Sequence, residues 1–249
     1  MYKNKIVLIT GTSKGLGNLI AKFFIKNGAT VIGISRSKCL IKSTRYNHYK
    51  LDLGDQKAIV DCFKKKISKD FKKIDILINN AALMTSQYSM IMPLKNAIDM
   101  VNVNFLGVFL VSREASKLMR NQDQSRIINI GSMASKLEPI GDSIYSATKS
   151  AIVTLANIFA KELAPFNVTC NTIGITAIET DMLNSHSDTA KIKIEKIISN
   201  LTIPRVAKID DITNVIEFFA SERSSYITAQ TIYLGGINCD KIYYGKPII

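Results

Sequence analysis

Apolar positions along the chain switch repeatedly between short, nearly continuous runs and longer stretches with a 3.6-residue period. The short runs are KIVLIT (Lys5 to Thr10), TVIGIS (Thr30 to Ser35), IDILIN (Ile74 to Asn79), RIINIG (Arg126 to Gly131), VTCNTI (Val168 to Ile173) and TIYLGG (Thr231 to Gly236), and each predicts a buried strand. Between them the pattern predicts helices over Leu16 to Lys26, from a capping Asp55 to about Phe71, Pro93 to about Met119, Ser143 to Ala164, and Asp210 to Ala220. Strands that are apolar throughout and alternate with helices imply an α/β fold, a doubly wound parallel sheet covered on both faces. No repeat or Pro/Gly-rich linker divides the pattern, so residues 1–249 read as a single domain. The long interruption from Asp181 to Pro204 is expected to be a substrate lid.

Composition narrows the function. At 249 residues with 47% hydrophobic and 21% charged positions, the chain suits one open α/β sheet and excludes disordered and fibrous classes. Its apolar runs are shorter than the roughly 18 residues that a bilayer span needs, so no membrane association is expected. Cys39, Cys62, Cys170 and Cys239 are isolated from one another, which predicts a reduced, cytoplasmic protein. His48 and His186 are too few for a zinc site or a His-based triad and are expected at the surface. A net charge of +13 raises the possibility of nucleic-acid binding. Its lysines, however, are scattered, and the tight group Lys64 to Lys66 with Lys69, Lys72 and Lys73 falls on an amphipathic helix, so a solvated surface and no nucleic-acid partner are expected.

The first strand ends in TGTSKGLG, where Gly11, Gly15 and Gly17 open the next helix. A sharp turn there lets backbone approach a pyrophosphate, and the helix N-terminus supplies free N–H groups and a positive dipole end. This pattern after the first strand of a βαβ unit points to a dinucleotide. The second strand ends in Ser35 and Arg36, with no acid between Val31 and Leu51, and Lys14 adds a cation in the loop. A basic end to this strand suits a 2′-phosphate, which predicts NADP(H) in preference to NAD(H).

Tyr145 and Lys149 in SIYSATKSA stand four apart, one turn along a helix face, where an ammonium can stabilise a phenolate. Ser132 follows a central strand at the end where open α/β sheets bind ligands. With these residues the chain resembles the short-chain dehydrogenase/reductase (SDR) family over nearly its whole length, from Lys5 to Gly236. The landmarks are TGTSKGLG, Asp52 in LDL, NNAA at Asn79 to Ala82, Asn104 in VNVNF, Ser132, YSATK, and NTIGITAIET ending at Thr180.

The resemblance implies a single Rossmann-type domain in which Tyr145 is the acid/base, Lys149 holds the nicotinamide ribose, Ser132 bonds the substrate oxygen and Asn104 keeps a relay water. It also implies a cofactor site made by Gly11, Ser13, Lys14, Gly15, Leu16, Gly17, Ser35, Arg36, Asp52, Leu53, Asn79, Ala81, Tyr145, Lys149 and Thr180, with no metal. The chain departs from the family pattern at Ile175 and Thr176, where Pro-Gly is usual, and at Ala82, where Gly is usual. The implied activity is hydride transfer between NADP(H) and a small-molecule carbonyl or alcohol, in a homo-oligomer, a tetramer or dimer. A narrower alternative is 3-oxoacyl-[acyl-carrier-protein] reductase, which IETDM and the FFASERSSYITAQTIYLGG ending favour. Asp123 and Phe166 stand against it, at positions where such reductases carry arginines. A non-catalytic NADP(H)-binding regulator is the alternative from another class.

Overall fold

A computed structural model describes residues 2–176, 178, 198–199 and 201–236. Its elements are, in chain order, β1 (Ile6–Thr10), α1 (Gly15–Lys26), β2 (Thr30–Ser35), β3 (Tyr46–Lys50), α2 (Gln56–Cys62), α3 (Ser68–Asp70), β4 (Ile76–Asn79), α4 (Leu94–Val101), α5 (Val108–Met119), β5 (Ser125–Ile130), α6 (Ala134–Leu137), α7 (Ser143–Leu163), β6 (Val168–Gly174), α8 (Ile209–Ala220) and β7 (Thr231–Tyr233). The strands form one seven-stranded sheet in the order β3-β2-β1-β4-β5-β6-β7, parallel at every pairing. The doubly wound α/β fold expected from the apolar pattern is therefore present.

Each central strand feeds two cores by simple alternation. Leu8, Leu77 and Ile127 point to one face, where they pack with Val103, Val111 and Phe159 of the α4–α5 and α7 side. Val7, Ile9, Ile76, Ile78, Ile128 and Ile130 point to the other, against Ile20 and Phe24 of α1 and Ile212, Ile216 and Phe219 of α8. Burial on both faces is why these strands read as continuous apolar runs.

Asp55 does cap α2, its carboxylate accepting from Ala58 N at 2.8 Å. The helix then runs on through a π-helical turn, Phe63–Ile67, into α3. Lys64, Lys65, Lys66 and Lys69 stand exposed along it and Lys72 just beyond it, as the solvated-surface reading expects, whereas Lys73 is half-buried and pairs with Asp75 at 3.0 Å. A second π-helical turn, Asn102–Gly107, joins α4 to α5. By length and composition Leu94–Met119 could cross a bilayer. Its Val103, Leu110, Val111, Ala115 and Met119 are instead buried in the core.

The apolar pattern missed β3, whose YNHYK is mostly polar because it is the sheet's edge and is half-exposed. His48 lies in this strand. It is half-buried and hydrogen-bonded rather than a bare surface residue. Most of the Asp181 to Pro204 segment, with His186 and Cys239, lies outside the described residues.

Candidate active site

Strand order reverses at β1, whose neighbours β2 and β4 lead away in opposite directions, and a crevice opens at the carboxyl ends there. The chain closes its floor tightly. Thr10 Oγ1 accepts from Asn80 N and Ala81 N, both at 3.0 Å, and Asn80 Nδ2 donates to Thr10 O at 2.9 Å. Gly11 takes φ +79°, and a Cβ on Gly17 would stand 2.3 Å from Gly11 O, so a side chain at either position would disrupt the loop.

The resulting cleft has a volume of about 380 Å³. Gly11, Ser13, Lys14, Gly15, Leu16, Gly17, Ser35, Arg36, Asp52, Leu53 and Ala81 line it, so these sequence-predicted residues come together. They fit a nicotinamide dinucleotide. The α1 N-terminus has no side-chain cap and no acid in its first turn, and a Cβ on Gly15 would meet no protein atom within 4 Å, leaving that face of the loop open to phosphate. Lys14 and Arg36 are exposed at the cleft and make no ion pair among the described residues.

Asn79 does not belong to this group. It pairs in register with Asn129 and is 3% exposed, its Nδ2 donating to Ser112 Oγ at 2.9 Å and to Asn129 Oδ1 at 2.8 Å inside the sheet. Asn80, one residue on and facing the opposite way, lines the cleft instead, with Ala82, Leu83 and Val103. Strand alternation is the sequence signal that could have separated the two asparagines. Thr180 lies outside the described residues.

The second half of the site stands on β5 and α7. Ser132 follows β5, and its Oγ accepts from Ala134 N at 3.1 Å and meets the Tyr145 phenol. Lys149 is 5% exposed, donates from Nζ to Ile130 O at 2.8 Å, and lies 5.8 Å from the centroid of the Tyr145 ring. Burial pulls its ammonium down to about 8. The Tyr145 phenol is pushed above its usual value, first by burial and also by Asp142, while the Ser132 bond works the other way. The sequence suggests a phenol lowered by Lys149; in this structure burial dominates and keeps the proton on.

Asn104, 1% exposed in the π-helical turn, ties the two halves. Its Oδ1 accepts from Leu83 N at 2.7 Å, and its Nδ2 donates to Leu83 O at 2.8 Å and to Thr148 Oγ1 at 3.2 Å. Both amide protons are thus engaged, so a relay water has only the remaining lone pair of its carboxamide or its backbone carbonyl to bind. Chemically, the arrangement offers a glycine-lined cleft beside a protonated phenol, a hydroxyl and a desolvated ammonium. Among the described residues no group of His, Cys, Asp and Glu is placed to hold a metal ion.

A family model for short chain dehydrogenases matches residues 5–191. The 3-oxoacyl-[acyl-carrier-protein] reductase FabG of Escherichia coli (strain K12) is 30% identical over 241 residues, covering 94% of this chain and 97% of its own. FabG of Aquifex aeolicus is 31% identical over 244 residues with the same coverage, 94% and 97%. Among solved structures, ligand-free aldohexose dehydrogenase (AldT) of Thermoplasma acidophilum shares the fold, with TM-score 0.87, 24% identity and 98% of each chain covered. The 3-ketoacyl-(acyl-carrier-protein) reductase of Brucella melitensis, complexed with NADH, superposes with TM-score 0.83 at 26% identity, over 95% of this chain and 98% of its own.

The buried ammonium carries a stability cost with a defined pH window. Lys149 is protonated in both folded and unfolded chains below about pH 8, where the folded state bears the full desolvation cost, and that cost fades as pH rises towards 10.5. Lys149→Met should therefore raise unfolding free energy at neutral pH by about 1–3 kcal/mol, net of the lost Ile130 bond. The gain should vanish at about pH 10.5. Urea denaturation without added cofactor at the two pH values checks it; equal gains at both would place the effect in packing rather than charge.

Proposed function

The chain belongs to the short chain dehydrogenase family, and from that premise we propose that it is an NADPH-dependent oxidoreductase working on a small carbonyl or alcohol. The observation that carries this reading is the convergence of Ser132, Tyr145 and Lys149 beside the glycine cleft, joined to it through Leu83, Asn104 and Thr148. When bound, the nicotinamide cofactor supplies or accepts the hydride. In the reducing direction Tyr145 gives its phenolic proton to the substrate oxygen. Ser132 hydrogen-bonds the same oxygen and steadies the charge that grows on it. Lys149 holds the ribose and offsets charge left on the phenolate, and a water at Asn104 links Lys149 to solvent. Thr180, outside the described residues, would hold the nicotinamide amide, and Asp52 would meet the adenine.

Preference for NADPH rests on Arg36 and Lys14, both exposed at the cleft where a 2′-phosphate would lie. The narrower assignment, reduction of 3-oxoacyl groups on acyl carrier protein, gains support from the FabG relatives. Asp123 and Phe166, both exposed, put an acid and a ring where a basic docking edge is expected. A panel of small ketones and acyl thioesters with NADPH decides between them. A purely regulatory NADP(H) binder is disfavoured by the intact proton-transfer set. Buried, unbridged Cys39, Cys62 and Cys170 support a cytoplasmic location.

We further assign a homo-oligomer, a tetramer or dimer. Leu94, Ile98 and Val101 form an exposed stripe along α4 at 74%, 47% and 38% exposure, and neighbouring α7 exposes Ile158. A second copy covering this stripe would remove it from water.

Three outcomes are expected. Tyr145→Phe keeps the ring and deletes the proton, so turnover should fall by at least ~100-fold with NADPH binding nearly unchanged; near-full activity on a true substrate would overturn the proton route. Arg36→Ala should weaken NADPH by roughly ten- to a hundredfold and NADH much less, by titration calorimetry. Light scattering at micromolar concentration should return a multiple of the 27.6 kDa chain mass, and a monomer would remove the oligomer.

A further inference from the structure

The wall beside Arg36 holds a histidine that the proposed reaction leaves unused. Ser35 closes β2, and its Oγ donates to Ser37 O at 2.9 Å, bracing the turn that carries Arg36. A hydroxyl has one proton, so Ser35 Oγ meets His48 Nε2, 2.8 Å away, as an acceptor, and the imidazole donates. This fixes the Nε2–H tautomer and leaves Nδ1, which has no hydrogen-bond partner among the described residues, as the atom a second proton joins.

The brace extends to the glycine loop. The His48 ring stacks on Tyr46 with centroids 6.3 Å apart. Tyr46 lies over Gly33, where a Cβ would come within 2.1 Å of its hydroxyl, and that hydroxyl meets Thr12 Oγ1 at 2.7 Å.

The groups around the imidazole are Tyr46 from β3, Gly33 and Ser35 from β2, and Cys39, which interacts with Tyr46. Burial keeps the Tyr46 phenol protonated, so it brings no charge. Of the charged residues nearby in the chain, Arg36, Lys38, Arg45 and Lys50 are exposed cations, and Asp52, which lines the same cleft as Arg36, is an exposed acid. Half-burial holds the imidazole below its ordinary value, neutral at pH 7. An anion arriving at Arg36 would add to the negative charge that Asp52 brings to this cleft.

We propose that His48 is a positioning and specificity-determining residue for the cofactor's 2′-phosphate. Its Nε2–H braces the Ser35–Ser37 turn, and Nδ1 takes up a proton when a phosphate dianion docks beside Arg36, so discrimination for NADPH over NADH strengthens as pH falls. This rests on the reading that Arg36 meets the 2′-phosphate.

The test is the ratio of Kd for NADH to Kd for NADPH, measured by calorimetry from about pH 6 to about pH 8 in the unaltered protein and in His48→Gln, which keeps an N–H donor towards Ser35 but cannot titrate. The phosphate's own second proton leaves near about pH 6 in both proteins, so the comparison is between their slopes. The ratio should rise towards acid pH roughly three- to tenfold more in the unaltered protein. Calorimetry in buffers of different ionisation heat should record a proton taken up with NADPH that His48→Gln does not take up. Equal slopes and equal proton uptake overturn the role of His48 while leaving Arg36 standing. An unaltered protein that binds both cofactors equally at every pH overturns the 2′-phosphate reading, and this inference with it. Should His48→Gln not fold, NMR titration of His48 decides: adenosine 2′,5′-bisphosphate should raise its pKa and adenosine 5′-monophosphate should not, and equal shifts overturn the proposal.

Discussion

The site depends on how the ends of β1 and β4 are locked together. Sheet order reverses there, so nothing in the ladder itself holds the next turns in place. Thr10 supplies the lock, its hydroxyl oxygen receiving two backbone N–H groups and its carbonyl receiving the Asn80 amide. The same amide lies 2.5 Å from where a Gly17 Cβ would stand, so the hydrogen bonds and the missing side chains require one another. With that corner fixed, the α1 N-terminus points into the cleft and Ala81 to Leu83 form its floor.

Asn104 carries this order across to the proton-transfer side. A π-helical turn between α4 and α5 brings its carboxamide onto Leu83 and Thr148, one residue from Lys149. A buried amide that lost either partner would leave a polar group unsatisfied, which costs about 1–3 kcal/mol. The floor of the cleft and the face of α7 therefore hold their relative position. Lys149, desolvated and pinned to the Ile130 carbonyl, costs folding stability yet is held within reach of the Tyr145 ring. Functional groups kept in unfavourable surroundings are common at active sites.

The excess positive charge has a different character from these cations. Lys64, Lys65, Lys66 and Lys69 are solvated on the α2–α3 helix, with Lys72 just beyond it. Lys14 and Arg36 differ because the cleft gathers them with free N–H groups at one rim. Geometry, not the sum of charges, separates a phosphate site from a soluble surface.

Several features were legible in the chain because each rests on local physics. Apolar runs alternating with amphipathic periods gave six of the strands and the helices that cover them, since burial on both faces leaves no room for polar positions. The glycine loop, Ser35 with Arg36, and the Tyr145–Lys149 spacing were readable from conformational freedom, charge and helix pitch. β3 was not, because an edge strand is half-solvated and needs no apolar run. Nor was the difference between Asn79 and Asn80, which only the register with Asn129 and the corner at Thr10 decide. The sequence could place Tyr145 beside Lys149 but not weigh burial against charge. Whether the phenol rises or falls depends on how much water the packed elements exclude, and that is a property of the tertiary structure alone.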